Sequence, residues 1–181
     1  GSGSSRHSPR NTFVARQLQA AGLGTLLFDL LTRQEDATYE TRFDIALLTR
    51  RLEAATRWLQ GQPQTRSLKI GYFGASTGAA AALYAAATFG QQIGAVVSRG
   101  GRPDLAMSAL GQVESPTLLI VGGDDDEVIT LNRQAYAALR TEKQLVIVPG
   151  ATHLFEEPGT LEEVARVAAQ WFTQHLSITT D

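Results

Sequence analysis

The chain of 181 residues is 43% hydrophobic and 19% charged, carries a formal net charge of −2 and has no cysteine, so it can bury one core and is too apolar to be disordered. A pI near 5.9 excludes the basic footprint of a nucleic-acid binder, and no run approaches the ~20 apolar residues of a membrane span. The missing cysteine excludes disulfides, thiolate metal sites and a cysteine nucleophile. The opening residues lack the charged-then-apolar layout of a signal peptide, and the expected compartment is the cytoplasm.

In chain order, "NTFVARQLQAAG" reads as a helix stopped by Gly22, a residue that tolerates the left-handed C-cap. "LGTLLFDL" (23–30) is expected to be the first strand, and the polar loop 31–42, "LTRQEDATYETR", could supply a short flap. "RFDIALLTRRLEAATRWLQG" repeats apolar residues at Phe43, Leu47, Leu48, Leu52, Ala55 and Leu59 before Gly61, the spacing of an amphipathic helix. Further strands are predicted at "LKIGYF" (68–73), "AVVSR" (95–99), "TLLIVG" (117–122) and "QLVIVPG" (144–150). Between and after them come an alanine-rich helix from Gly78, a helix over "LNRQAYAALR", and a last one over "TLEEVARVAAQWFTQHL". For the last, Thr160 as N-cap and Glu163 three residues on suggest a capping box. Each strand is too apolar to have a wet face, which predicts a mostly parallel sheet with helices on both faces in a single domain.

In such a sheet the functional groups gather at the carboxyl ends of the strands. The first of these loops reads "GASTG", a G-x-S-x-G corner between a predicted strand and a predicted helix. It would hold Ser76 Oγ above the sheet, with the backbone N–H of Thr77 facing developing negative charge. The same pattern is also common at ordinary helix starts. The next loops place an acid in "GDDDEV", one of Asp124, Asp125 and Asp126, and His153 in "ATHLFEEPG". A serine hydroxyl needs an imidazole to take its proton and a carboxylate to orient that imidazole. The order Ser, Asp, His, each at a later strand end, meets that need.

On "GSGSSRHSPRN", "GYFGASTGAA", "LLIVGGDDDEVI" and "VPGATHLFEEPG", the chain resembles the α/β-hydrolases of the dienelactone-hydrolase-like group, from one end to the other. The resemblance implies a three-layer α/β-hydrolase fold and a hydrolytic activity without cofactor or metal, on a small-molecule substrate. In that family the acid is the fourth position of G-x-x-D-x-x-V, which here selects Asp125 between Gly122 and Val128. Dienelactone hydrolases proper use a cysteine nucleophile, which this chain lacks, so their substrate does not carry over. Only "GGRPDLAMSALGQVESP" separates the strands at 95–99 and 117–122, too little for a helical cap domain.

Similar hydrolases place an oxyanion loop between a strand and the first helix. The opening residues match that position, with a backbone N–H near Ser2 joining that of Thr77; a Gly/Ser-rich mobile terminus or tag remnant is the alternative. Arg6, Arg10, Arg99 and Arg102 lie in two loops expected at one cleft, which points to a substrate with a carboxylate or phosphate. In the hydrolase fold a strand precedes the oxyanion loop and lies beside the nucleophile strand. The chain as given begins inside the loop, so the expectation is a fragment missing its N-terminal strand or strands, with 23–30 and 68–73 facing each other across a vacancy. The second functional reading is a non-catalytic hydrolase-fold module, or the appended domain of a larger enzyme. Similar segments occur fused to phosphoribosyltransferase domains, yet no phosphoribosyl-diphosphate loop is present in this sequence.

Overall fold

The computed structural model describes residues 3–177. Its centre is a four-stranded parallel sheet in the order β1-β2-β3-β4, formed by β1 (Ile70–Ala75), β2 (Ile93–Arg99), β3 (Thr117–Gly122) and β4 (Lys143–Val148). These strands are so apolar because both faces are covered. The α1 helix (Pro9–Ala20) and α6 (Thr160–Leu176) cover one face, packing Leu18, Trp171 and Phe172 against Val97, Leu118 and Ile120. The opposite face is covered by α4 (Thr77–Phe89), α5 (Asp126–Ala138) and a 3₁₀ stretch over Pro103–Gln112, which bury Leu83, Ala135 and Leu110 against Val96 and Leu119. Burial of one leucine such as Leu83 stabilises by roughly 1.5–3 kcal/mol. The architecture is that of an α/β-hydrolase fold, with no cap domain among the described residues.

Side chains of β2 change faces at one point. Ile93 pairs with Ile70 and Ala95 with Gly71, so Gly94 is an extra residue in β2. The insertion flips the alternation, sending Ile93 to one core and Ala95 to the other.

The helix α4 is buried on nearly every side from Thr77 to Ala86, as its alanine-rich, chargeless sequence requires. The amphipathic α3 (Ile45–Gly61) lies over it, capped by Asp44, whose carboxylate accepts from Leu47 N at 3.1 Å. Tyr72 of β1 is buried and shares a 2.7 Å hydrogen bond with Thr56 of α3. Burial pushes its phenol up to about 12.

Two expectations are corrected. Residues 23–30 run without regular structure, and among the described residues 24–31 make no backbone–backbone hydrogen bond; a strand exists only through its ladder, and among the described residues this segment has no neighbour to form one. The capping box at Thr160 is also absent. Thr160 is the first helical residue, preceded by Gly159 at φ 81, and its hydroxyl donates to Glu157 O at 2.7 Å. Glu163 instead pairs with Arg166 at 2.6 Å. A capping box does occur where none was expected, between Thr32 and Glu35 at the start of α2 (Arg33–Asp36).

Candidate active site

Ser76 occupies the single residue between β1 and α4 and has φ 51 and ψ −126. A non-glycine residue in that region costs about 1–3 kcal/mol and persists only where its surroundings enforce it. Gly74 is part of that enforcement: a Cβ there would lie 2.6 Å from Gly78 O, so only glycine lets the strand end and the helix start close to this corner. The carbonyl of Ser76 accepts from Ala79 N at 3.2 Å and Arg102 N at 3.0 Å. Among the described residues its Oγ makes no hydrogen bond, and the Thr77 N–H, first in α4, has no protein acceptor. That N–H stands at the positive end of the helix dipole.

Asp125 follows β3 in a turn closed by its own N–H on Gly122 O at 3.1 Å. It holds the N-cap position of α5 without capping it, so its carboxylate is available to another partner. Asp125 Oδ2 lies 2.8 Å from His153 Nδ1, with the carboxylate largely covered and the imidazole side chain 42% exposed. With the proton on Nδ1, shared with the carboxylate, Nε2 is left as an acceptor. The neighbouring aspartates are placed differently. Asp124 donates its N–H to Ala151 O at 2.9 Å, tying the acidic turn to the histidine loop, and Asp126 opens α5.

Two residues that sequence reasoning did not single out shape the loop after β4. Phe155 is buried and has φ 54, and Glu157 accepts from Thr152 N at 2.7 Å and from Thr152 Oγ1. These hydrogen bonds, the hydroxyl first, hold the Glu157 carboxyl below its usual range. The lowered value means that the clasp stabilises the fold fully above the unfolded carboxylate range near ~4.3 and is lost as the pH falls below it. Thermal melts of Glu157→Gln between about pH 3 and 6 should therefore show a shallower acid dependence than the parent chain. Parallel curves would mean that the clasp contributes nothing.

The loop after β2 joins the two halves of the site. Arg102 N contacts Ser76, while Gly100, at φ 51, packs on the histidine: a Cβ on it would sit 3.2 Å from His153 O and 3.5 Å from Nδ1. The buried Asn132 donates to Gly101 O at 3.1 Å and steadies this loop from α5. Asn132 carried no signal in the sequence, whereas the Gly-Gly pair at a strand end marks a close backbone approach.

Three of the four arginines are engaged by carboxylates: Arg6 by Asp29 at 2.6 Å, Arg10 by Glu156 at 3.2 Å, and Arg102 by both oxygens of Asp104. Among the described residues Arg99 has no such partner. It is 7% exposed, donates Nη2 to Asn11 Oδ1 at 3.3 Å, lies over the Phe73 ring, and leaves Nη1 without a partner. Burial first, and the charge of Arg10 second, lower it to about 10. Asn11 carries the link onward, donating to Ser5 O at 2.8 Å, so Arg99 sits beneath the opening loop. Ser2 itself lies outside the described residues. The 31–42 segment is more ordered than a plain flap: Glu35 of α2 makes a bidentate pair with Arg51 at 2.5 and 2.7 Å, which lowers its carboxyl to about 2.

No helix among the described residues is long and apolar enough to cross a membrane. Residues 9–178 match the model of the dienelactone hydrolase family. The chain is 61% identical over 176 residues to a Mycobacterium tuberculosis protein provisionally named phosphoribosyl transferase, covering 97% of this chain and 40% of that protein. It therefore spans about two fifths of that relative's length. The crystal structure of a dienelactone hydrolase from Anabaena variabilis is 59% identical and superposes with a TM-score of 0.94, over 98% of this chain and 84% of that one. The Est1E structure from Butyrivibrio proteoclasticus, 15% identical, superposes with a TM-score of 0.81 over 97% of this chain and 85% of its own, a likeness of fold. Sheet, serine corner and family match agree along nearly the whole sequence, and the chain belongs to the dienelactone hydrolase family of α/β-hydrolases.

Proposed function

We propose that this chain is a serine hydrolase acting on a small, ester-type anionic acyl substrate. The observation that carries the reading is the 2.8 Å pair of His153 Nδ1 and Asp125 at the same sheet edge as a serine held at φ 51. His153 Nε2 takes the proton as Ser76 Oγ bonds to the acyl carbon, and the carbonyl oxygen becomes an oxyanion on the Thr77 N–H. Collapse breaks the bond to the leaving alkoxide, which His153 protonates. Water then attacks the acyl-serine with His153 again as base, releasing the acid and restoring Ser76. Among the described residues, the absence of a hydrogen bond on Ser76 Oγ is compatible with this role, since catalytic contacts in unliganded sites often tighten only with substrate. A fluorophosphonate should label Ser76, identified by peptide mass, and a panel of esters, thioesters and lactones should show turnover with esters preferred. Failure to label a folded protein would favour the second reading, a binding domain within a longer polypeptide, to which the relative's length and provisional name lend support.

The anionic preference rests on Arg99, a buried cation whose neighbour is another arginine rather than a carboxylate. A carboxylate-bearing ester should be hydrolysed with roughly tenfold higher kcat/KM than its neutral match, an advantage of about 1.4 kcal/mol. Arg99→Gln should remove that advantage while the neutral ester is still turned over. Equal kcat/KM for the two esters in the parent chain would reduce Arg99 to a structural cation.

A further inference from the structure

Three consecutive residues after β2 touch three separate parts of the candidate site. Gly100, at φ 51, lies against His153, where an added Cβ would sit 3.2 Å from the carbonyl oxygen and 3.5 Å from Nδ1. Arg102 donates its N–H to Ser76 O at 3.0 Å. Between them, Gly101 turns its carbonyl to α5, the helix whose N-cap is Asp125, and accepts from Asn132 Nδ2 at 3.1 Å. The loop is bounded from below by β2 and α4, because a Cβ on Gly101 would run into Ser98 Oγ and lie 2.5 Å from Ala79 Cβ. From α5 it is held by Asn132.

The orientation of this amide is fixed. Both groups facing Nδ2 are carbonyl oxygens, Gly101 O and, at 2.8 Å, Val128 O of its own helix. Asn132 is fully buried, and among the described residues its Oδ1 has no hydrogen-bond partner. The core that α5 helps to enclose is otherwise apolar. A buried, half-satisfied amide costs stability that a leucine of similar size would not. A polar side chain kept there at such a cost points to what its donor holds, the carbonyl of Gly101.

We propose that Asn132 is a positioning residue of the candidate triad: its hydrogen bond to Gly101 O ties the 100–102 loop to the helix that carries Asp125, and so sets Ser76 and His153 relative to each other. The proposal rests on the hydrolytic reading of the site. Asn132 acts through the loop and not on the reacting atoms. It reaches His153 through Gly100, whose packing beside Nδ1 keeps the imidazole on Asp125, and it reaches Ser76 through the N–H of Arg102. A displacement of about 1 Å at such a support is enough to cost on the order of 10²-fold in rate.

Asn132→Leu, close in volume to the parent side chain, removes the donor and the unpartnered oxygen together. Ala135→Gly is the packing control, since it weakens the same buried face of α5 without touching the loop. Two readouts separate positioning from packing. The imidazole nitrogen shifts of His153, recorded by NMR on the chain alone, report which ring nitrogen holds the proton; the parent should hold it on Nδ1, and Asn132→Leu should show a mixture of both tautomers. On a neutral ester, kcat should fall by roughly 10- to 100-fold with KM within about twofold, the pattern of an interaction lost from the transition state and not from binding. Ala135→Gly should lower the thermal midpoint yet keep the parent tautomer and a kcat within about threefold. A tautomer mixture already in the parent, a parent tautomer retained in Asn132→Leu, a kcat within about threefold of the parent, or equal losses in Ala135→Gly would each overturn the proposal. If Asn132→Leu does not fold, Asn132→Ala takes its place, and failure of both to fold would assign the amide to the core and overturn the proposal as well. Should the parent hydrolyse no ester while the tautomer still shifts in Asn132→Leu, the hydrolytic reading fails and the positioning of His153 by Asn132 stands.

Discussion

Ser76→Ala is expected to abolish fluorophosphonate labelling and to lower ester turnover to a background on the order of 10³–10⁴ above uncatalysed hydrolysis, the residue left when one member of an interdependent triad is removed. The substitution deletes a single oxygen that makes no hydrogen bond among the described residues, so no packing is lost. Alanine does not remove the strain at φ 51, because the Cβ that causes it remains; the thermal midpoint should stay close to that of the parent. Binding of a product-like carboxylate should survive, which separates a lost nucleophile from a lost site. Full turnover by a clean Ser76→Ala preparation would overturn the assignment of the nucleophile.

Asp125→Asn should lower kcat by about 10⁴-fold, because an amide in this position favours the wrong imidazole tautomer and cannot stabilise the imidazolium. The 2.8 Å contact with His153 Nδ1 is made by Asp125, whereas Asp124 contributes its backbone to the histidine loop and Asp126 its position at the start of α5. Asp124→Asn and Asp126→Asn should therefore each change kcat by less than about tenfold, the range of a nearby charge acting through solvent. Kinetics on a neutral ester of all three variants, with circular dichroism to confirm folding, would rank the carboxylates. A larger loss at Asp124 or Asp126 would show that the catalytic pair differs from the one seen here. The comparison is informative because the three residues are consecutive and equally acidic, so only geometry distinguishes them.

The sequence by itself determined the layers and the place of the candidate site. The four apolar runs that became β1 to β4 are legible because a parallel strand buried on both faces has to be apolar throughout, and α3 and α6 because a covering helix shows a 3.6-residue stripe. The corner at Ser76 is legible for a local reason: Gly74, Ser76 and Gly78 are within five residues, and the steric demand that Gly74 meets comes from the adjoining turn of helix. The resemblance also selected Asp125, the aspartate found against His153.

What only the tertiary structure decided depends on residues far apart in the chain. Residues 23–30 have strand composition, yet a strand requires a partner, and partner availability is not written in the segment itself. Four arginines look alike in sequence; Asp29, Glu156 and Asp104 neutralise three of them, and Arg99 remains because the residues that reach it are Asn11 and Arg10. Thr160 and Glu163 have capping-box spacing, but Gly159 takes the left-handed turn and Arg166 captures the carboxylate. In each case the local pattern permits more than one partner, and the choice is made by whichever group the packed sheet and helices bring within hydrogen-bond reach.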